Sequence, residues 1–250
     1  MALTALDSAA DVLVATGNDP YARSSLRRPM VRGWMLDGAL AWVGTDPDER
    51  LPWLTTHGTP AAVGALLAEL LPQLPARQRV TVPRGTPAHL PTWVGINGTN
   101  WDFRHLSARP PEQPSEGDVH LLDDDPAVAA LLAAASPTAS TRPGEPSVRR
   151  WFGVRDGGEL VACAADTSGS TGSTRAGHLS SIAVHPSARG RGLGKAVTAA
   201  LSRRMFDEGC DLVTLGMYAD NKIGRALYDA LGFADDHRYT SGPLLVRPRR

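Results

Sequence analysis

The amino-acid sequence predicts an α/β (α+β) fold, a mixed sheet flanked by helices and preceded by a smaller α/β domain. Three observations carry the prediction. Short apolar runs alternate with alanine-rich segments of helical period between residues 119 and 241. Two Asp-Gly pairs, in "GWMLDGALAWVG" and "RRWFGVRDGGELVACAAD", lie between apolar runs, a strong local hairpin signal. Finally, "SARPPEQPSEGD" (residues 107–118) combines three prolines with Ser, Glu and Gly, a composition that cannot pack as an element and reads as a linker. The expected domains are 1–108 and 119–250, joined by 109–118.

In the C-terminal part, "VHLLD" reads as a short strand and "DPAVAALLAAAS" as a helix with an acidic start. The Asp-Gly-Gly hairpin follows, then a loop over 166–177 rich in Ser, Thr and Gly. "HLSSIAVHP" is the next strand, residues 191–208 a helix, "DLVTLGMYA" a strand. "NKIGRALYDALG" is a helix whose apolar side should carry Ala226, Leu227 and Ala230, and "FADDHRYTSG" a closing strand. Crossover helices between central strands make the pattern mixed rather than purely antiparallel. In the N-terminal part the first Asp-Gly hairpin is joined by a helix, "TPAAVGALLAELLPQL", and the strands "QRVTVP" and "TNWDFRHLS". Tryptophans 34, 42, 53, 93 and 101 lie here and read as core filling.

Composition narrows the function. With 26 basic and 26 acidic residues the formal net charge is zero, which argues against a nucleic-acid or anionic-membrane partner. Cys163 and Cys210 match no metal-ligand spacing and read as free, buried thiols of a reduced compartment; no metal is expected. The N-terminus lacks a basic n-region and no run approaches the roughly 20 apolar residues of a membrane span, so a cytoplasmic protein is expected.

The chemistry concentrates in "HPSARGRGLGK", His185 to Lys195. Gly190, Gly192 and Gly194 fall where a strand must turn into a helix. Free backbone N–H groups and the helix dipole make such a turn an anion site, and glycine lets the backbone approach an oxygen closely. Arg189, Arg191 and Lys195 add positive charge. The spacing is neither the dinucleotide G-x-G-x-x-G nor a Walker loop.

Arg189-x-x-Gly192-x-Gly194 resembles the Arg/Gln-x-x-Gly-x-Gly/Ala signature of the GNAT superfamily of acyl-CoA-dependent N-acetyltransferases. "YADNKIGRALYDALGF" is similar to that family's following segment, and the likeness spans residues 119–241, closest to two-domain members with a degenerate N-terminal GNAT-like half. The resemblance implies the acyl-CoA N-acyltransferase fold, whose central sheet is mostly antiparallel. It implies acetyl-CoA as co-substrate, with main-chain groups of Ile182, Ala183 and Val184 pairing its pantetheine arm. Residues Gly190, Arg191, Gly192, Leu193, Gly194 and Lys195 would hold its pyrophosphate.

The implied reaction is direct attack of a primary amine, on a small molecule or peptide, upon the thioester. Tyr228 matches the family's tyrosine beside the CoA sulfur and would act as acid, or is simply a packed ring. Asn221, two helical turns earlier, would contact the cofactor and can also cap the helix. His178 occupies the position where relatives often carry the glutamate base, and strand alternation places it with Ser180 and Ile182; a surface histidine fits the pattern equally. The alternative to an enzyme is a non-catalytic acyl-CoA-binding module of the same fold.

Overall fold

In the computed structural model, which describes residues 2–44, 52–75, 78–169 and 174–246, the chain divides into two compact units. Unit 1 is Met1–Phe103 with Tyr218–Asp220 and Asp236–Arg250; unit 2 is Arg104–Met217 with Asn221–Asp235.

Up to the middle of the chain the elements are β1 (Thr4–Leu6), α1 (Ala9–Ala15), α2 (Pro20–Ser25), β2 (Met30–Leu36), β3 (Ala39–Gly44), β4 (Trp53–His57), α3 (Pro60–Leu70), β5 (Arg79–Pro83), β6 (Val94–Ile96) and β7 (Thr99–Leu106). Then come β8 (His120–Leu122), α4 (Asp125–Ala135), β9 (Arg150–Asp156), β10 (Glu159–Asp166), β11 (Ala176–Val184), α5 (Leu193–Asp207), β12 (Leu212–Tyr218), α6 (Lys222–Ala230) and β13 (Ala234–Val246). Among the described residues no helix is long and apolar enough to cross a membrane.

Unit 1 is a mostly antiparallel sheet in the order β1-β2-β3-β4-β5-β13, with the β4–β5 pair parallel. The β2–β3 hairpin turns at Asp37 and Gly38, both with positive φ, as a tight two-residue turn requires. The crossover helix α3 covers one face with Val63, Leu66, Leu67 and Leu70. On the other face α1 and α2 bring Val12, Ala22 and Leu26 onto Leu40 and Trp42. Of the five tryptophans, Trp34 and Trp42 are core residues, whereas Trp53, Trp93 and Trp101 are half-buried. Trp53 donates its ring N–H to Thr81 at 2.8 Å and lies under the Arg79 guanidinium.

Unit 2 repeats the plan, in the order β12-β11-β10-β9-β8, with β11 and β12 parallel and the rest antiparallel. Helix α5 buries Leu193, Val197, Leu201 and Met205 against Leu179, Val213 and Leu215. Each such fully buried aliphatic side chain stabilises the fold by about 1.5–3 kcal/mol. Helix α4 covers the opposite face with Val128, Leu131 and Leu132 on Trp151, Cys163 and Ala183. Cys163 is buried as expected, while Cys210 is half-buried; both thiols are free.

Two expectations are corrected. Helix α6 does not turn Ala226 and Ala230 inward; both are exposed, and its buried side is Gly224, Tyr228 and, just past the helix end, Leu231. The larger side chains choose the face, and alanine methyls bury too little area to compete. The second correction concerns β11. Opposite Cys163 and Ala165, two residues apart on β10, stand Ala183 and Ser180, three apart on β11. The extra residue is a bulge at Ser181, whose φ is +48°. It reverses the alternation. Before it, Leu179 faces α5; after it, Ile182 and Val184 do, and Ala183 faces α4. His178 therefore shares a face with Ser180 but not with Ile182. Part of the expected 166–177 loop, residues 170–173, lies outside the described residues.

Candidate functional site

The site is built where β11 hands the chain to α5. Residues Pro186–Ala188 form a 3₁₀ turn started by His185, whose Nδ1 lies 2.7 Å from Ser187 Oγ. Gly190 and Gly192 follow, each with φ of +80° and with nothing within 4 Å of a Cβ built on them. Their space is open and their backbone is one that L side chains avoid, the two properties a cradle for a close ligand needs. Gly194 differs. A Cβ there would lie 2.9 Å from Leu227 Cδ1 and 3.5 Å from Val184 Cγ2, so its glycine admits α6 rather than a ligand.

Helix α5 starts at Gly192 with no side-chain cap, and its first returning bond is Ala196 N–H to Gly192 O at 3.1 Å. The N–H groups of Leu193, Gly194 and Lys195 thus point out of the end of a 15-residue helix. The Leu193 side chain is core, so only its backbone faces outward. Arg189 is exposed and Lys195 half-buried. Arg191 pairs with Asp156, at the tip of the β9–β10 hairpin, at 2.6 Å. Asp156 went unread in the sequence because no local pattern ties a hairpin end to a loop 35 residues away.

Beside the loop, the two parallel central strands part company. Their ladder runs from Ala176↔Leu212 to Leu179↔Leu215 and stops, while both strands continue. Beyond Leu179, β11 pairs through Ala183 and Val184 with Cys163 and Ala162 of β10 on its other edge. Main-chain groups of Ile182, Ala183 and Val184 thus belong to a strand that has lost its β12 neighbour. The bulge is held by the loop after α4. Ser181 Oγ accepts from Thr141 N–H at 3.1 Å and donates to Thr141 O at 2.9 Å.

Two candidate acid–base groups flank this gap from opposite faces. Tyr228 packs on the α5 side, only 7% exposed, with its ring edge-on to Phe233 at 5.6 Å. Burial pushes its phenol up to about 12, against the pull of the Arg104 guanidinium. Among the described residues its hydroxyl has no hydrogen-bond partner. Arg104, almost fully buried, is fixed by Asp229 and by Phe233 O at 2.7 Å.

His178 lies on the other face, with Nδ1 2.8 Å from Thr214 Oγ1. Thr214 spends its one hydroxyl proton on Gly177 O at 2.9 Å. Both contacts are satisfied only if His178 Nδ1 carries the ring proton and donates it, which puts the basic lone pair of the neutral ring on Nε2. Asn221 caps α6, its Oδ1 accepting from Gly224 N–H at 2.8 Å. A Cβ at residue 224 would come within 2.6 Å of the Asn221 amide, which explains the glycine there. Burial pushes the Cys163 thiol up to about 12 and raises Cys210 as well, so neither supplies a thiolate near neutral pH.

The matching strand–helix–strand of unit 1 is built differently. Thr59 caps α3 with its own side chain, accepting from Ala62 N–H at 3.3 Å, and Pro60 removes another N–H. The β4–β5 ladder ends at Thr55↔Thr81, and the buried Tyr21 phenol lies near the side chains of both threonines. A self-capped helix and a filled gap leave no cradle there.

Comparison with known proteins agrees with this division. The model of the acetyltransferase (GNAT) family matches residues 115–233. A mycothiol acetyltransferase from Kocuria rhizophila is 41% identical over 69 residues, which is 28% of this chain and 23% of that protein. The chain therefore spans about a quarter of the length of that relative. Among solved structures, a GCN5-related N-acetyltransferase from Sphaerobacter thermophilus superposes with a TM-score of 0.60 at 17% identity, covering 99% of this chain and 97% of that one. A tandem GNAT protein from the clavulanic acid biosynthesis pathway covers 100% of both chains with a TM-score of 0.50 at 14% identity. These structural likenesses describe the fold.

Proposed function

Residues 115–233 of this chain belong to the acetyltransferase (GNAT) family, and from that premise we propose that the protein moves an acetyl group from acetyl-CoA to a primary amine on a small molecule or a peptide. The observation that carries the reading is the uncapped start of α5. Three outward N–H groups, two open left-handed glycines and the cations Arg189 and Lys195 converge beside the unpaired edge of β11. That set fits a pyrophosphate followed by an extended amide-bearing arm.

Acetyl-CoA supplies the thioester carbonyl on which the amine acts. The residues of unit 2 provide the rest. Backbone of Ile182–Val184 accepts the pantetheine amides as an added strand, and Gly190–Lys195 hold the phosphates. His178 Nε2 takes a proton from the attacking amine, as Thr214 fixes Nδ1–H on the far side of the ring. A C–N bond forms and the C–S bond breaks. The leaving sulfur carries the electron pair away, and Tyr228 meets it from the opposite face of the sheet. Base and acid on opposite faces suit a reaction in which the amine arrives from one side and the thiolate leaves on the other. Asn221 fixes the start of α6 and hence the position of Tyr228 on it. With both cysteines held as thiols, direct attack is favoured over a covalent acyl-enzyme.

Unit 1, with its filled counterpart, is a degenerate GNAT-like half that binds no acyl-CoA.

The test is release of free CoA thiol from acetyl-CoA across a panel of primary amines and peptide α-amines. We expect release that depends on both substrates. Tight acetyl-CoA binding with no release from any amine would instead establish a binding module.

A further inference from the structure

Within unit 1, and apart from everything described above, three side chains from distant parts of the sequence converge: Asp19, His57 and His237. Asp19 precedes α2, His57 ends β4 and His237 lies in β13. One ligand atom from each lies within 4.8 Å of the other two. From this geometry we propose that Asp19, His57 and His237 bind a divalent first-row transition-metal ion of the zinc type.

Donor chemistry and distances support the assignment. Two imidazole nitrogens and one carboxylate oxygen form a set suited to Zn²⁺, which bonds each at about 2.0–2.2 Å. Ligand atoms on a tetrahedral ion of that size stand about 3.3 Å apart. His237 Nε2 is 2.7 Å from Asp19 Oδ2 and His57 Nδ1 is 3.8 Å from Asp19 Oδ1, so each oxygen of the carboxylate turns to one imidazole, at separations on either side of that value. A hydrogen bond to Asp19 accounts for His237 alone. His57 Nδ1 is turned to the same carboxylate but lies beyond hydrogen-bonding reach, so no hydrogen bond to Asp19 accounts for its placement.

The surroundings favour a bound cation. The carboxylate of Asp236 comes to 3.6 Å from His237 Nε2, a fourth donor group beside the other three. The His57 and His237 rings meet at 86°, and Tyr21, Phe103 and Tyr239 form an aromatic wall behind His237. Such a wall limits water on one side and strengthens ion–ligand attraction. The other side stays open: the three ligand side chains are 12%, 22% and 28% exposed, so a hydrated ion can reach them. Binding would tie the start of α2 to β4 and β13.

The experiment is zinc titration by calorimetry on the full chain freed of any affinity tag, with cobalt in parallel for its visible absorption when four-coordinate. We expect one ion per chain. His57→Ala and His237→Ala should each weaken binding at least tenfold and abolish the cobalt absorption, whereas His120→Ala, an exposed histidine outside the cluster, should leave both unchanged. Asp19→Asn guards against misfolding. Asparagine can keep the cap that Asp19 Oδ1 makes to Ala22 N–H, so this variant should fold without zinc, its melting temperature lowered only by the changed bond to His237, and should show no zinc-dependent rise in that temperature. No saturable one-to-one binding by the parent protein, or binding that survives all three substitutions, overturns the proposal.

Discussion

Replacing Tyr228 with phenylalanine separates the chemistry of the site from its packing. The hydroxyl has no hydrogen-bond partner among the described residues, and the ring contact with Phe233 survives the change. Folding stability should stay within about 0.5 kcal/mol of the parent. Turnover should not. The phenol stands at about 12 because it is buried, whereas a thiol stands at about 8.5, so complete proton transfer to the departing thiolate would be uphill by about 5 kcal/mol. Tyr228 is therefore expected to donate a hydrogen bond to the developing sulfur charge rather than to surrender its proton. A hydrogen bond to a charged group contributes about 1.5–3 kcal/mol, or roughly 10–150-fold in kcat. Initial-rate measurements of thiol release should show that loss in kcat with KM for acetyl-CoA nearly unchanged. An unaltered kcat would refute the placement of Tyr228 beside the sulfur. A loss above about a thousandfold would refute the hydrogen-bond argument and restore full proton transfer.

Two further outcomes follow from the geometry. Gly192→Ala forces a side chain into left-handed backbone that has open space around it, so the cost is conformational, about 1–2 kcal/mol. Calorimetry should record acetyl-CoA binding weakened by about 5–30-fold, with Gly192→Asn losing less because asparagine tolerates that conformation. Glu208 is held at about 2 by hydrogen bonds from Arg150 and Arg204. Its folded value lies below its unfolded one, so the stabilisation is present above about pH 4.5 and is lost as pH falls toward 2. Partial exposure leaves it at about 1 kcal/mol. The difference in melting temperature between the parent and Glu208→Gln should vanish across that window.

How much of this was legible in the sequence depends on whether the determinant is local. The hairpins announce themselves because Asp37–Gly38 and Gly157–Gly158 need positive φ, a property written in residue type. Gly190 and Gly192 were legible for the same reason. Gly194 was read as ligand space, yet Leu227, 33 residues later, occupies it. The bulge at Ser181 was invisible, since an extra residue is defined only against β10, and its consequence, His178 turned away from Ile182, was invisible with it. Thr214, which fixes the His178 ring, pairs with it across two parallel strands joined by a whole helix. In unit 1, α2 and β4 are too short for periodicity to show, and three of the five residues of β4 are threonine or histidine. The filling of its gap by Tyr21 depends on both.

The start of α5 is an open cradle, whereas the start of α3 is capped by its own Thr59. Calorimetric titration of the full chain with acetyl-CoA tests that difference most directly. It should give one site per chain, and Gly192→Glu, which sets a carboxylate among the outward N–H groups, should abolish binding while the fold is retained. A stoichiometry of two, or a Gly192→Glu protein that binds like the parent, would contradict it.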